Sequence, residues 1–145
     1  MGIEVCHLSP LLQVFDMPAS LKFYCDALGF QIEMTDGKPA PHCDWVLLSL
    51  NGFQLMLNTA YEAEHRPAAP DPKRIAAHED ASIYFACPDV DAAYQHLCAK
   101  GVSAKPPRVA PYGMKQLYLK DPDGYELCFQ WKASEEGRQE SKNES

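Results

Sequence analysis

Two stretches of this chain follow the same local pattern, and that repetition constrains the fold more than any other feature. Residues 16–30 read DMPASLKFYCDALGF, and residues 89–102 read DVDAAYQHLCAKGV. Each opens on an Asp suited to cap a helix N-terminus and closes on a Gly suited to the left-handed position after a helix. Pro18 falls in the first turn, where a missing N–H costs little. Leu21, Tyr24 and Leu28, with Ala27 beside them, recur at helical spacing in the first stretch; Ala92, Ala93 and Leu97 are expected inward in the second.

What surrounds each helix also repeats. Residues 5–14 read as an extended, largely apolar run that includes Cys6. Pro10 lacks a ladder donor, so an edge or a bulge is expected there. Phe30 to Met34 reads as a strand, followed by a loop, DGKPAPHCD. WVLLSL and FQLMLN then flank Asn51-Gly52, a dipeptide that favours a type I′ hairpin turn. After residues 60–80, rich in Pro, Ala, His and charge, the order returns: ASIYFAC, the second helix, a proline-broken strand VSAKPPRV, and the hairpin MKQLYLK-DPDG-YELCFQW. The expected fold is α+β: two βαβββ modules forming a curved mixed sheet around a ligand groove. The expected boundaries are 1–59 for the first module, 60–80 for a linker or long surface loop, 81–132 for the second module, and 133–145 for a disordered tail without an apolar pattern.

Bulk properties exclude several classes. A net charge of −7 without a Lys/Arg cluster argues against a nucleic-acid partner. The same acidity would tolerate a cationic ligand. No apolar run approaches the roughly 20 residues that span a bilayer, so no membrane partner is expected. Six Cys are present, but no CxxC spacing and no signal-peptide pattern accompanies them. Cytoplasmic localisation and free thiols follow as expectations. There is no G-x-S-x-G elbow and no phosphate-binding Gly loop.

LLQVFDMPASLKFYCDALGF, DVDAAYQHLCAKGV and APYGMKQLYLKDPDGYELCF together resemble the vicinal oxygen chelate superfamily, which comprises glyoxalases, bleomycin-resistance proteins and extradiol dioxygenases. The resemblance covers roughly residues 3–132. It implies paired βαβββ modules, usually in a homodimer. It implies no single reaction, because members include glyoxalase I, thiol transferases, ring-cleaving dioxygenases, epimerases and metal-free binders of bleomycin.

Enzymes of that superfamily hold a divalent metal through His, Glu or Gln at fixed strand positions. Counting from Asp16, Gly52, the DVDAAYQHL segment and Gly124 places Ser9, Met56, Ser82 and Cys128 at those positions. A divalent ion prefers carboxylate, imidazole or thiolate, and only Cys128 belongs to that set. No metal and no other cofactor is therefore expected. The alternative is a displaced site from His7, Gln54 and Glu126, each two positions earlier on the same strand face, with Asp80 as a weaker fourth. The adjacent pairs Cys6-His7 and His42-Cys43 point opposite ways in a strand and chelate poorly. His65 and His78 are expected in solvent on the linker, and His96 on the exposed side of its helix.

Strand alternation leaves a cleft of aromatic and amide side chains. Ser9, Trp45, Met56, Ser82, Tyr84, Tyr112, Gln116, Tyr118 and Cys128 are the expected ligand-binding residues. Such a lining suits a planar or amphipathic organic molecule. Three readings remain open: a metal-free small-molecule binder like the bleomycin-resistance proteins, a metal-dependent lyase, thiol transferase or dioxygenase, and an interaction domain whose groove is filled. Neither the ligand nor the pairing of modules within or between chains is legible.

Overall fold

Each helix starts where its Asp can take up an orphan backbone N–H. Asp16 accepts from the Ala19 amide at 3.3 Å, and Asp89 accepts from the Ala92 amide at 2.9 Å. In the computed structural model, which describes residues 1–134, the chain divides into two compact units, 1–70 and 71 onward. The first runs β1 (Leu11–Val14), α1 (Met17–Leu21, continued as a π-helical turn over Lys22–Ala27), β2 (Gln31–Thr35), β3 (Trp45–Leu50) and β4 (Phe53–Thr59). The second runs α2 (Pro72–Ala77), β5 (Ser82–Ala86), α3 (Val90–Ala99), β6 (Arg108–Val109), β7 (Met114–Lys120) and β8 (Glu126–Lys132). The α+β class and the two βαβββ modules are as expected. The tail expected at 133–145 falls almost wholly outside the described residues.

Each unit holds a four-stranded mixed sheet, ordered β1-β4-β3-β2 and β5-β8-β7-β6. The first strand of each module pairs parallel with the last, and the remaining pairs are antiparallel. One face of each sheet is dry. Leu12, Val14, Val46, Leu48, Leu55 and Leu57 are buried on the first, and Leu117, Leu119 and Leu127 on the second. Tyr24 is fully buried, with edge-to-face contacts to Phe23 (5.0 Å) and Phe30 (5.8 Å). The FY…LGF motif is thus an aromatic core cluster. The π-turn carries its helical part, with the Leu28 amide donating to the Phe23 carbonyl at 3.1 Å.

Four local expectations need correction. Residues 5–10 do not form a strand, so Cys6 is exposed rather than inside one. The ladder begins after Pro10, whose carbonyl accepts from the Met56 amide at 2.8 Å while its ring nitrogen has no hydrogen to give. On α3 the inward stripe is Val90 and Leu97, with Ala93 half-buried; Ala92 faces solvent. The spacing 90, 93, 94, 97 satisfies the helical period better than one built on Ala92.

The other two concern residues 60–80, which are not a plain loop. Asp71 caps α2 by accepting from the Lys73 amide at 3.0 Å, and a short 3-10 turn follows over His78–Asp80. His78, expected in solvent, is half-buried and stacks on Tyr125 at 4.0 Å with rings 7° apart. Its Nδ1 donates to the Asp123 carbonyl at 2.7 Å.

That packing explains the DPDG turn. Asp121 accepts from the amides of Asp123 and Tyr125, both at 2.9 Å, which closes the loop on itself. Gly124 sits at φ +84 with Ile75 directly against it. A Cβ there would lie 2.8 Å from Ile75 Cγ2 and 2.9 Å from the Ile75 carbonyl oxygen. Gly37, at φ +102, has nothing within 4 Å of the same position. Gly37→Ala therefore carries only the left-handed backbone cost, about 1–2 kcal/mol. Gly124→Ala adds a backbone clash, and urea denaturation is expected to show at least about 2 kcal/mol greater loss than for Gly37→Ala.

Candidate functional site

In each unit the face opposite the buried one is open. Register fixes which side chains share a row on it, because directly paired residues point the same way. In the first unit one row is Gln13, Asn58 and Trp45, the next is Leu11, Met56 and Leu47, and the third joins Gln54 to Ser49. Asn58 Nδ2 donates to Gln13 Oε1 at 3.2 Å, and the Ser49 hydroxyl donates to Glu33. The middle of this face is thus an apolar strip of Leu11, Met56 and Leu47, with Trp45 at its side and amides and hydroxyls at both ends. Ser9 lies before β1 begins, its hydroxyl oxygen buried without a hydrogen-bond partner.

The second unit's open face is more ordered. Its rows are Ser82, Glu126 and Lys120; Tyr84, Cys128 and Tyr118; and Ala86, Gln130 and Gln116. Tyr84 and Tyr118 flank Cys128 from the two neighbouring strands. Their hydroxyls meet at 3.2 Å, and their rings lie edge to face with centroids 6.4 Å apart. The two phenols arch over the thiol. This accounts for a fully buried Cys128 beneath rings that remain 51% and 36% exposed. Beside the arch, Gln116 Nε2 donates to the Tyr112 hydroxyl at 2.8 Å and to Gln130 Oε1 at 2.9 Å. Tyr112 itself is exposed, at the turn that leads into β7.

The Tyr84–Cys128–Tyr118 row is uncharged at neutral pH. The hydrogen bond to Tyr84, followed by burial and the adjoining Cys128, pushes the Tyr118 phenol far above its ordinary value. Burial raises the Cys128 thiol, Glu126 adds to the rise, and hydrogen bonds from Tyr118 and the Leu117 backbone offset part of it. A nucleophilic cysteine needs the opposite: a lowered pKa and access. Cys128 is a protonated, covered thiol.

The nine expected ligand-binding residues are therefore distributed as follows. Trp45 and Met56 share the first open face. Ser82, Tyr84, Gln116, Tyr118 and Cys128 share the second, with Tyr112 bonded to its edge. Ser9 belongs to the segment preceding β1. Of the alternative metal ligands, His7 is exposed ahead of β1, Gln54 is on β4 and Glu126 on β8. Asp80 precedes β5. Among the described residues, no three His, Cys, Asp or Glu side chains gather where they could hold a metal ion.

With this geometry, the comparisons with known proteins agree. The chain belongs to the glyoxalase/bleomycin resistance protein/dioxygenase superfamily, whose family model matches residues 5–129. The protein YaeR of Escherichia coli K12 is 31% identical over 129 residues, covering 88% of this chain and 95% of YaeR. A glyoxalase/bleomycin resistance protein/dioxygenase from Nocardioides superposes with a TM-score of 0.68 at 19% identity, covering 93% of this chain and 88% of that one. The bleomycin resistance determinant encoded on transposon Tn5 superposes with a TM-score of 0.65 at 20% identity, covering 88% and 98%.

The four positions counted from the sequence carry two alcohols (Ser9, Ser82), a thioether (Met56) and a covered, protonated thiol (Cys128). That donor set does not fit a divalent ion.

Two features of the open faces escape sequence reasoning. Arg108 lies directly opposite Gln116, and Lys132 follows Gln130 on the same face. The prolines ahead of Arg108 hide the strand register that places it there. Leu47 and the Ser49–Glu33 pair on the first face were equally hidden, since WVLLSL is apolar at both parities.

A pH prediction follows from the thiols. Burial is the largest cause of a raised pKa at Cys25, Cys43, Cys87 and Cys128, each above an ordinary value of 9.0. A raised folded-state pKa means the folded chain holds more protons than the unfolded one between the two values. The stability from these thiols is complete below 9.0 and is lost as pH climbs toward the raised values. The urea midpoint is expected to fall between pH 8 and pH 10.5. Cys128→Ala should shrink that fall, and an unchanged slope would show that Cys128 does not contribute.

Proposed function

We propose that this protein binds a small aromatic organic molecule on its open sheet faces without a metal, as a non-catalytic member of its superfamily. The observation that carries this reading is the Tyr84–Cys128–Tyr118 row. It offers two half-exposed rings for stacking, held by a hydrogen bond and backed by an uncharged thiol. An aromatic contact of this kind contributes about 0.5–1.5 kcal/mol beyond area burial. Trp45, Met56 and Leu47 supply a second apolar platform on the first unit. The donor set at the superfamily's metal positions argues against the lyase, transferase and dioxygenase readings. The exposed tyrosines and the unspent polar groups beside them argue against a filled, purely structural face. The name of the Tn5 determinant, a bleomycin resistance protein, supports sequestration as the kind of function.

The protein acts in this reading as a homodimer in the cytoplasm. Exposed Ile3, Val5, Leu8, Ile32 and Met34 on the first unit support self-association. Six free thiols suit a reducing compartment. No helix among the described residues is long and apolar enough to cross a membrane.

The test is native mass spectrometry of protein purified without chelator. It is expected to retain a sub-kilodalton aromatic species, and Tyr84→Ala with Tyr118→Ala should lose that species while the circular dichroism spectrum is kept. One equivalent of tightly bound Zn, Ni, Mn or Fe would overturn the metal-free assignment. A mass and a tryptophan emission unaffected by bleomycin or any aromatic probe would overturn the binding assignment. Light scattering is expected to give twice the 16.2 kDa chain mass.

A further inference from the structure

We infer that the ligand of the second unit's open face carries a carboxylate, held at the end formed by Arg108, Lys132, Gln130 and Tyr112. This rests on the binding reading above and adds the charge of the ligand.

The first argument is the placement of charge. Arg108 is the direct partner of Gln116 across the β6–β7 ladder, and Lys132 follows Gln130 on alternating β8 positions, so both stand on the open face. Neither takes part in an ion pair among the described residues. By contrast, Lys115 and Lys120 of the same unit are engaged by Asp91 and Glu79. Glu126, on the same face, is four residues along the strand from Gln130, about 13 Å away, and stands beside Lys120. In a chain of net charge −7, this end of one face is locally cationic. The cationic ligand suggested by the net charge is the wrong sign here.

The second argument is the direction of the hydrogen bonds. Gln116 is 8% exposed, and its amide nitrogen gives one hydrogen to the Tyr112 oxygen and the other to the Gln130 oxygen. Tyr112 therefore keeps its own hydroxyl hydrogen, and Gln130 keeps both amide hydrogens. Added to the guanidinium fork of Arg108 and the Lys132 ammonium, the hydrogens left over at this end make it rich in donors. A planar oxyanion is the complement of such a set, and Arg binds one through two parallel N–H bonds. The tyrosine row lies two residues along the strands from the glutamine row, about 6–7 Å. A two-ring aromatic acid spans that distance with its rings on Tyr84 and Tyr118.

The test is isothermal titration calorimetry of the full chain with 2-naphthoate, 2-naphthamide and 2-naphthylmethylammonium. Naphthoate is expected to bind at least ten-fold more tightly than naphthamide, with the ammonium weakest and the advantage shrinking as salt rises. Arg108→Gln combined with Lys132→Gln should bring naphthoate to the level of naphthamide, with an unchanged circular dichroism spectrum and urea midpoint showing that the variant is folded. Equal binding of acid and amide, or an acid advantage that survives in the double variant, overturns the carboxylate assignment and leaves the binding reading standing. Failure of all three probes to bind overturns both.

Discussion

Parallel pairing between the first and last strand of each module is the constraint on which the rest of the structure depends. A parallel neighbour cannot be reached by a tight turn, so the chain must cross over through a helix before it returns. That crossover places α1 or α3 on one face and leaves the other bare. It also makes β4 and β8 central strands, each bonded on both sides. Every row of the open face therefore passes through a residue of the last strand. Cys128 is covered because it occupies the middle of such a row with a tyrosine on either side.

The motifs that mark the superfamily act mainly on this framework. Tyr24 and Phe30 fill the core beneath the first sheet, and Asp121 folds the turn that aims β8. The candidate site belongs instead to the residues alternating with the core positions, whose side chains leave the strands on the other face. Met56, Ser82 and Cys128 stand on β4, β5 and β8 among the side chains of the open faces, and none of them contributes to the dry side of its sheet. Fold and candidate site are separable here in a concrete sense: they are written on opposite faces of the same strands.

Most of the architecture was legible because its signals are local. Asp16 and Asp89 announce helix starts, and Asn51-Gly52 adopts the positive φ values, 52° and 86°, that its hairpin turn requires. The tyrosines of the second face were legible by period-two alternation in SIYFA and MKQLYLK. Other features depend on pairing, which one strand does not encode. Arg108 gains its meaning only from standing opposite Gln116. The helical content of residues 72–80 was obscured by Pro, Ala and charge, a composition that suits a loop equally well. His78 shows the same limit, since its burial comes from Tyr125, distant in sequence.

The contact of Ile75 and His78 with the DPDG turn bears on how such a two-module gene could be recombined. Asp71 to Asp80 look like spacer in sequence, yet in space they are the cover of the second hairpin. An exchange of modules between relatives with its seam just before Ser82 would leave Gly124 bare and Tyr125 without its stacking partner. A seam before Asp71 transfers the hairpin together with its cover. The heritable unit of the second half is therefore longer than its repeat.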